Sequence, residues 1–234
     1  MANVFVPSEI ALEDRTVGRI LSIRAEEFGE KVFVETTEGD SVTYKQMHEQ
    51  SNSLAHGLED FGVGFQETVL VMLPDTIDYL TVWCGLSKRG AVEVPINLAY
   101  RKNILVRLCN ESGAQKLIVD RSMVQRFEEV AESLNHLNCV ILYSEDPQQQ
   151  GDVFLPPKLA AKCSVHRYEG LFSDNIGNFT DGPTYQDLVG IMFTSGTTGV
   201  SKGVATSHSH SFCYADGAGE IFHLIRKGRI HKTQ

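Results

Sequence analysis

The chain of 234 residues is long enough for one large domain or two small ones. Hydrophobic residues make up 42% of it and charged residues 22%, a composition typical of globular proteins and not of disordered chains. The formal net charge of −9 argues against nucleic acid or an anionic membrane as the main partner, because both bind basic surfaces.

Between residues 43 and 143 the sequence alternates between helical and strand-like patterns. The first helix is predicted to begin at Thr43, which forms a capping box with Gln46, and to end before Gly62. The caps and stops of three further helices are predicted at Asp75 and Gly90, at Gly113, and at Ser122. The short apolar runs between the helices are predicted strands: Thr68–Leu73, Ala91–Ile96, Lys116–Asp120 and Cys139–Tyr143.

These runs are too short for buried helices, and they do not alternate between apolar and polar residues. Continuous apolar strands separated by helices indicate a largely parallel sheet covered on both faces. The predicted fold class is therefore α/β, with ligands expected at the carboxyl ends of the strands.

The pattern weakens over residues 144–187, which are rich in Pro, Gly, Asn, Asp and Gln. This composition predicts either a long irregular connection or a second small unit, and it does not decide between the two. The apolar run Leu188–Phe193 then predicts a strand that leads directly into a segment rich in Gly, Ser and Thr.

That segment, FTSGTTGVSKGV from Phe193 to Val204, can neither form a good helix nor be buried. Its glycines permit positive φ angles and let backbone N–H groups converge on an anion, while its hydroxyls and ammonium add donors. The glycines are Gly196, Gly199 and Gly203, and the donors are Thr194, Ser195, Thr197, Thr198, Ser201 and Lys202. These residue types favour a phosphate-binding loop, and a solvated turn is the alternative.

The spacing does not fit the common P-loop, which requires Gly, four residues, and then Gly-Lys-Ser/Thr. Counted from Gly196, the second glycine would fall on Ser201, and Lys202 is followed by Gly203. A P-loop NTPase is therefore disfavoured.

The segment FTSGTTGVSKGV instead resembles the phosphate-binding signature of the acyl-adenylate-forming superfamily, also called AMP-binding enzymes. Three other segments resemble that family: SVTYKQMHEQSNSLAHGLEDFGV, VLVMLPDTIDYL and LSKRGAVEVPIN, the last typical of the acyl-CoA ligase branch. The resemblance extends from about residue 16 to about residue 222. It implies the N-terminal portion of the large α/β domain of such an enzyme.

The resemblance also implies a reaction and its participants. A carboxylate would attack the α-phosphate of ATP, and a thiol, usually that of CoA, would capture the acyl-adenylate, with Mg²⁺ accompanying the nucleotide. The loop would neutralise the outer phosphates and hold the α-phosphate for in-line attack. The implied nucleotide-binding residues are Thr194, Ser195, Gly196, Thr197, Thr198, Gly199 and Lys202. His208 matches a family histidine after the loop, with active-site contact or local packing as its two alternative roles.

The sequence also departs from the family. Ser201 stands where proline is usual, which restores an N–H and loosens the backbone. The adenine-stacking, ribose-binding and C-terminal segments of the family, including its adenylation lysine, have no counterpart here. No catalytic residue is therefore assigned, and the isolated chain is expected to be truncated and incomplete as an enzyme. A non-catalytic vestigial or regulatory nucleotide-binding module is the alternative.

We divide the chain accordingly into three parts. Residues 1–187 are the α/β scaffold of the AMP-binding domain, and residues 188–222 are the strand, phosphate-binding loop and following helix of the same domain. Residues 223–234 form a basic tail that does not resemble the family, where a truncation or an altered ending is expected.

The remaining polar residues are predicted to be structural. His48, His56 and His136 are expected to be solvated, as is the cluster of Glu128, Glu129 and Glu132, and no metal site is predicted. Five cysteines without CxxC spacing favour buried thiols in a reducing compartment: Cys84, Cys109, Cys139, Cys163 and Cys213. Without a signal peptide or membrane span, we expect a cytoplasmic protein that binds a nucleotide and a carboxylic acid. The oligomeric state is left open.

Overall fold

A computed structural model describes residues 10–146, 153–194 and 202–226. Within these ranges the helices are α1 (Val17–Phe28), α2 (Tyr44–Asp60), α3 (Ile77–Arg89), α4 (Lys102–Ser112), α5 (Val124–Glu128), α6 (Pro157–Ala160) and α7 (His208–Arg226). The strands are β1 (Val32–Glu35), β2 (Ser41–Thr43), β3 (Thr68–Met72), β4 (Val92–Pro95), β5 (Lys116–Asp120), β6 (Cys139–Tyr143), β7 (Ser164–Arg167), β8 (Leu188–Thr194) and β9 (Lys202–Ser207).

Strands β3 to β9 form one seven-stranded sheet in the order β7-β6-β5-β3-β4-β8-β9. Neighbouring strands are parallel, except that β8 and β9 are antiparallel. Strands β1 and β2 form a separate antiparallel pair. The predicted α/β fold with a largely parallel sheet is confirmed.

Helices cover both faces of this sheet. On one face Leu70 of β3 belongs to a buried cluster with Leu105 of α4 and Phe127 of α5. On the other face Val71 of β3 belongs to a cluster with Leu86 of α3. Because side chains on both faces of the strands are buried, the strands appear in the sequence as continuous apolar runs.

The predicted helix ends are correct at several positions and wrong at two. The capping box of Thr43 and Gln46 is present. Gly90 and Gly113 end their helices in the left-handed conformation, which costs glycine little. The cap of α3, however, is Thr76 and not Asp75, because the Thr76 side chain accepts a hydrogen bond from Tyr79 N.

The continuous helix predicted after Ser122 is also wrong. The Asp120 side chain accepts from Ser122 N and begins a short 3-10 turn, and α5 then lasts only five residues. The Glu128 side chain, expected to be solvated, is buried and accepts hydrogen bonds from Lys158 N and Leu159 N at 3.0 Å each. This carboxylate caps the distant helix α6.

The segment between β6 and β8 adds one strand to the main sheet and then crosses α2. Its strand β7 pairs with β6, so this part of the chain belongs to the same sheet. The crossing is close, since a Cβ added at Gly57 would lie 1.7 Å from Leu171 O. Among the described residues, no helix is long and apolar enough to cross a lipid bilayer.

A buried amine joins α2, α3 and this crossing segment. Lys88 Nζ donates to His48 O at 2.9 Å and to Asn52 Oδ1 at 2.5 Å. Asn52 Nδ2 in turn donates to Ile176 O, and His48 Nε2 lies 2.8 Å from Asn178 Oδ1. His48 is therefore partly buried and not solvated as predicted. Burial lowers the pKa of Lys88 to about 7.

This lowered pKa predicts a specific pH dependence of stability. Between pH 7 and 10.5 the unfolded state binds more protons at Lys88 than the folded state does, so the contribution of Lys88 to stability rises with pH. We expect the stability of the wild type, relative to Lys88→Met, to increase by about 2 kcal/mol between pH 7 and pH 9. Urea unfolding at both pH values measures this difference.

Lys45→Met is the matched control, since the Lys45 side chain is exposed. It should show no such pH-dependent difference. An equal change in both variants, or none in Lys88→Met, would contradict the role given to burial.

Candidate functional site

Strands β8 and β9 hold the two ends of the predicted phosphate-binding loop side by side. Their register pairs Thr194 with Lys202 and Phe193 with Gly203. The structure thus brings Thr194 and Lys202 together at the carboxyl end of β8. The other predicted loop residues lie outside the described residues: Ser195, Gly196, Thr197, Thr198, Gly199 and Ser201.

Gly203 is needed for a reason that differs from the one expected. It lies in the extended strand β9, and its φ is not in the positive region. A Cβ added there would lie 2.9 Å from Ile191 Cγ2 and 3.3 Å from the Phe193 ring. The glycine therefore admits two side chains of β8 rather than supplying a left-handed turn.

A crevice of about 430 Å³ opens at the carboxyl ends of β3, β4 and β8. Its walls include residues that follow these strands and one side chain at the start of the loop: Leu73, Asp75, Tyr79, Asn97, Tyr100 and Phe193. Ligands of open α/β sheets bind at this edge, and the volume lies within the range of small-molecule sites. The loop and the crevice together form the candidate site.

The exposed ammonium of Lys202 is the cation that the structure places at this site. Lys202 forms no ion pair with any residue in the described ranges. It is therefore available to an anionic ligand. In the same part of the chain, no group of three or more His, Cys, Asp or Glu side chains is arranged to hold a metal ion.

A buried carboxyl group near the crevice was not predicted from the sequence. Glu93 of β4 is 1% exposed, and its Oε1 has no hydrogen-bond partner among the described residues. Burial raises the pKa of Glu93 to about 7, although a hydrogen bond with Tyr79 acts in the opposite direction. The signal was present as a single glutamate inside the apolar run AVEVPI.

His208 lies at the opposite end of the hairpin from the loop. Ser207 pairs with Leu188 at that end, so the length of β9 separates His208 from Lys202 by roughly 15–20 Å. The ring is 1% exposed, and its Nδ1 accepts from Val17 N at 3.3 Å. Burial lowers the pKa of His208 to about 4. This placement favours local packing over contact with a nucleotide.

Comparison with known proteins agrees with this architecture. Residues 21–224 match the family of AMP-binding enzymes, and the chain belongs to that family. It is 29% identical over 220 residues to a plipastatin synthase of Bacillus subtilis (strain 168), an alignment that covers 94% of this chain and 8% of that protein. It is 23% identical over 209 residues to 4-coumarate–CoA ligase 1 of Petroselinum crispum, covering 89% and 35%.

Solved structures share the fold. A long-chain-fatty-acid–CoA ligase (FadD1) from Archaeoglobus fulgidus is 26% identical, with a TM-score of 0.68 over 88% of this chain and 39% of that one. An anthranilate–CoA ligase (AuaEII) in complex with anthranoyl-AMP has a TM-score of 0.67 at 22% identity, over 86% and 36%, and shows the fold alone. The chain thus spans well under half the length of these relatives.

The raised pKa of Glu93 gives a second stability prediction. A carboxyl group whose folded pKa is raised from 4.5 to about 7 contributes stability below pH 4.5 that is lost as the pH rises through 7. Glu93→Gln removes this titration. We expect the variant to match the wild type at pH 4.5 and to be more stable by about 2 kcal/mol at pH 8 in urea unfolding.

Glu26→Gln, at an exposed position of α1, serves as the control and should give equal stabilities at both pH values. A Glu93→Gln variant that is less stable than the wild type at pH 8 would show that the ionised carboxylate is satisfied in the fold.

Proposed function

We propose that this chain provides the phosphate-binding part of an ATP-dependent acyl-CoA synthetase. In the reaction, a carboxylate oxygen bonds to the α-phosphorus of ATP while the bond to pyrophosphate breaks. The thiol of CoA then attacks the acyl carbon and releases AMP, so that a thioester forms. The observation that carries the proposal is the β8–β9 register, which closes a Gly/Ser/Thr loop beside a crevice and places Lys202 opposite Thr194.

The loop residues act on the nucleotide as anion ligands. Backbone N–H groups and hydroxyls between Thr194 and Lys202 donate to phosphate oxygens, and the Lys202 ammonium neutralises their charge. The proposed contacts are those of Thr194, Ser195, Gly196, Thr197, Thr198, Gly199 and Lys202, and His208 is assigned to packing. Mg²⁺ bound to the nucleotide would neutralise the phosphates further.

The relatives support a CoA ligase among the activities of this family. Besides the Petroselinum crispum enzyme, a medium/long-chain-fatty-acid–CoA/3-oxocholest-4-en-26-oate–CoA ligase of Mycolicibacterium smegmatis (strain ATCC 700084 / mc(2)155) is 26% identical over 170 residues, which cover 73% of this chain and 29% of that enzyme. The substrate class is accordingly a carboxylic acid. A reducing cytoplasm suits the four buried cysteines in the described residues, which are free thiols.

Binding of ATP tests the role of Lys202. Each hydrogen bond to a charged oxygen contributes about 1.5–3 kcal/mol, so Lys202→Ala should weaken ATP binding roughly 10- to 100-fold. Equilibrium dialysis with radiolabelled ATP measures the dissociation constant. Lys45→Ala, an exposed lysine at the start of α2, should bind ATP as the wild type does. Equal affinity of the wild type and Lys202→Ala would remove the basis of the proposal.

Pyrophosphate release with a panel of carboxylic acids separates the synthetase from a nucleotide-binding module. Acid-dependent release, by this chain or by a longer form that contains it, supports the synthetase. ATP binding without release in either form supports the non-catalytic module.

A further inference from the structure

A second cavity lies between helices, away from the crevice and the phosphate-binding loop. Its volume is about 360 Å³, and it is enclosed by α1, α3, β1 and the beginning of α7. The walls are mainly apolar and aromatic, with Leu21 from α1, Phe33 from β1, Trp83 and Cys84 from α3, and Phe212 from α7. Cavities of this size and character bind small molecules in other proteins.

One hydrogen-bond donor belongs to this apolar lining. His208 lines the cavity, and its Nδ1 accepts a hydrogen bond from Val17 N. The proton of the neutral ring is therefore on Nε2. That Nε2 is buried and has no hydrogen-bond partner among the described residues. A buried N–H group without an acceptor costs about 1–3 kcal/mol, which a ligand oxygen would recover.

We propose that this cavity binds a small, uncharged aromatic molecule with one carbonyl oxygen, which accepts a hydrogen bond from His208 Nε2. The aromatic rings of Phe33, Trp83 and Phe212 provide the faces and edges against which such a molecule packs. The ligand is separate from the substrates of the proposed synthetase, because His208 and the loop are at opposite ends of the hairpin. Helix α7 directly follows β9, so the ligand would contact the element that leaves the loop strand.

Trp83 reports on this site directly, since it lines the cavity and is the single tryptophan of the chain. The probes are 4-phenylbutan-2-one, which carries the carbonyl, and isopentylbenzene, which has nearly the same shape without it. Titration of the 234-residue chain with each probe, followed by Trp83 fluorescence, gives two dissociation constants. We expect saturable binding of the ketone at least about tenfold tighter than that of the hydrocarbon.

Two variants and one control locate the effect. His208→Phe keeps a ring but removes the donor, so the preference for the ketone should disappear while the hydrocarbon still binds. Ser211→Phe, on the α7 wall of the cavity, should weaken both probes by its added volume. Lys202→Ala should leave both affinities unchanged, which separates this site from nucleotide binding.

Three results would overturn the proposal: no saturable change of Trp83 fluorescence, hydrocarbon binding as tight as ketone binding in the wild type, or undiminished binding of both probes by Ser211→Phe. The second result is decisive even where His208→Phe fails to fold. A buried carbonyl without a donor is costly, so the hydrocarbon would then be the better ligand.

Discussion

The antiparallel pairing of β8 with β9 is the constraint on which the candidate site depends. Strand β8 meets its parallel neighbour β4 at the Glu93–Gly190 pair, whereas its pairing with β9 runs from Leu188 to Thr194. Ile191 and Phe193 also pack against the buried cluster on one face of the sheet. The ends of a polar loop are thereby attached to an apolar core, so the loop backbone needs no core of its own.

The face of the sheet under α1 and α3 contains several ionisable groups that burial drives toward their neutral forms. Lys88 and Glu93 each have a pKa of about 7, and His208 has a pKa of about 4. In each case desolvation is the main cause, because burying an unpaired charge costs more than losing or gaining a proton. Their polar atoms differ in what they bond: Lys88 Nζ has several acceptors, whereas Glu93 Oε1 and His208 Nε2 have no partner in the described ranges.

Much of the fold was predictable because its determinants are local. Strands β3 to β6 follow from apolar runs, and the capping box at Thr43 follows from residue spacing. Strand β9 was not predicted, because the sequence KGVATS is largely exposed at a sheet edge and its partner supplies the pattern. Glu128 was misassigned because it caps a helix thirty residues away, and no local pattern contains that contact. For the site, composition and family resemblance indicated the phosphate-binding loop, but only the register shows which loop ends meet.

The hairpin is also closed at its base. Leu188 pairs with Ser207, while His208 N donates to Asp187 O and Ser209 N donates to Tyr185 O. The chain therefore enters and leaves the hairpin at one place, and the residues between Thr194 and Lys202 are an excursion with fixed ends. Doubling the length of such an excursion costs only about 0.6 kcal/mol in closure entropy. Insertions and deletions there leave the strand order intact, which makes this the part of the domain where ligand selectivity can diverge with least disturbance to the scaffold.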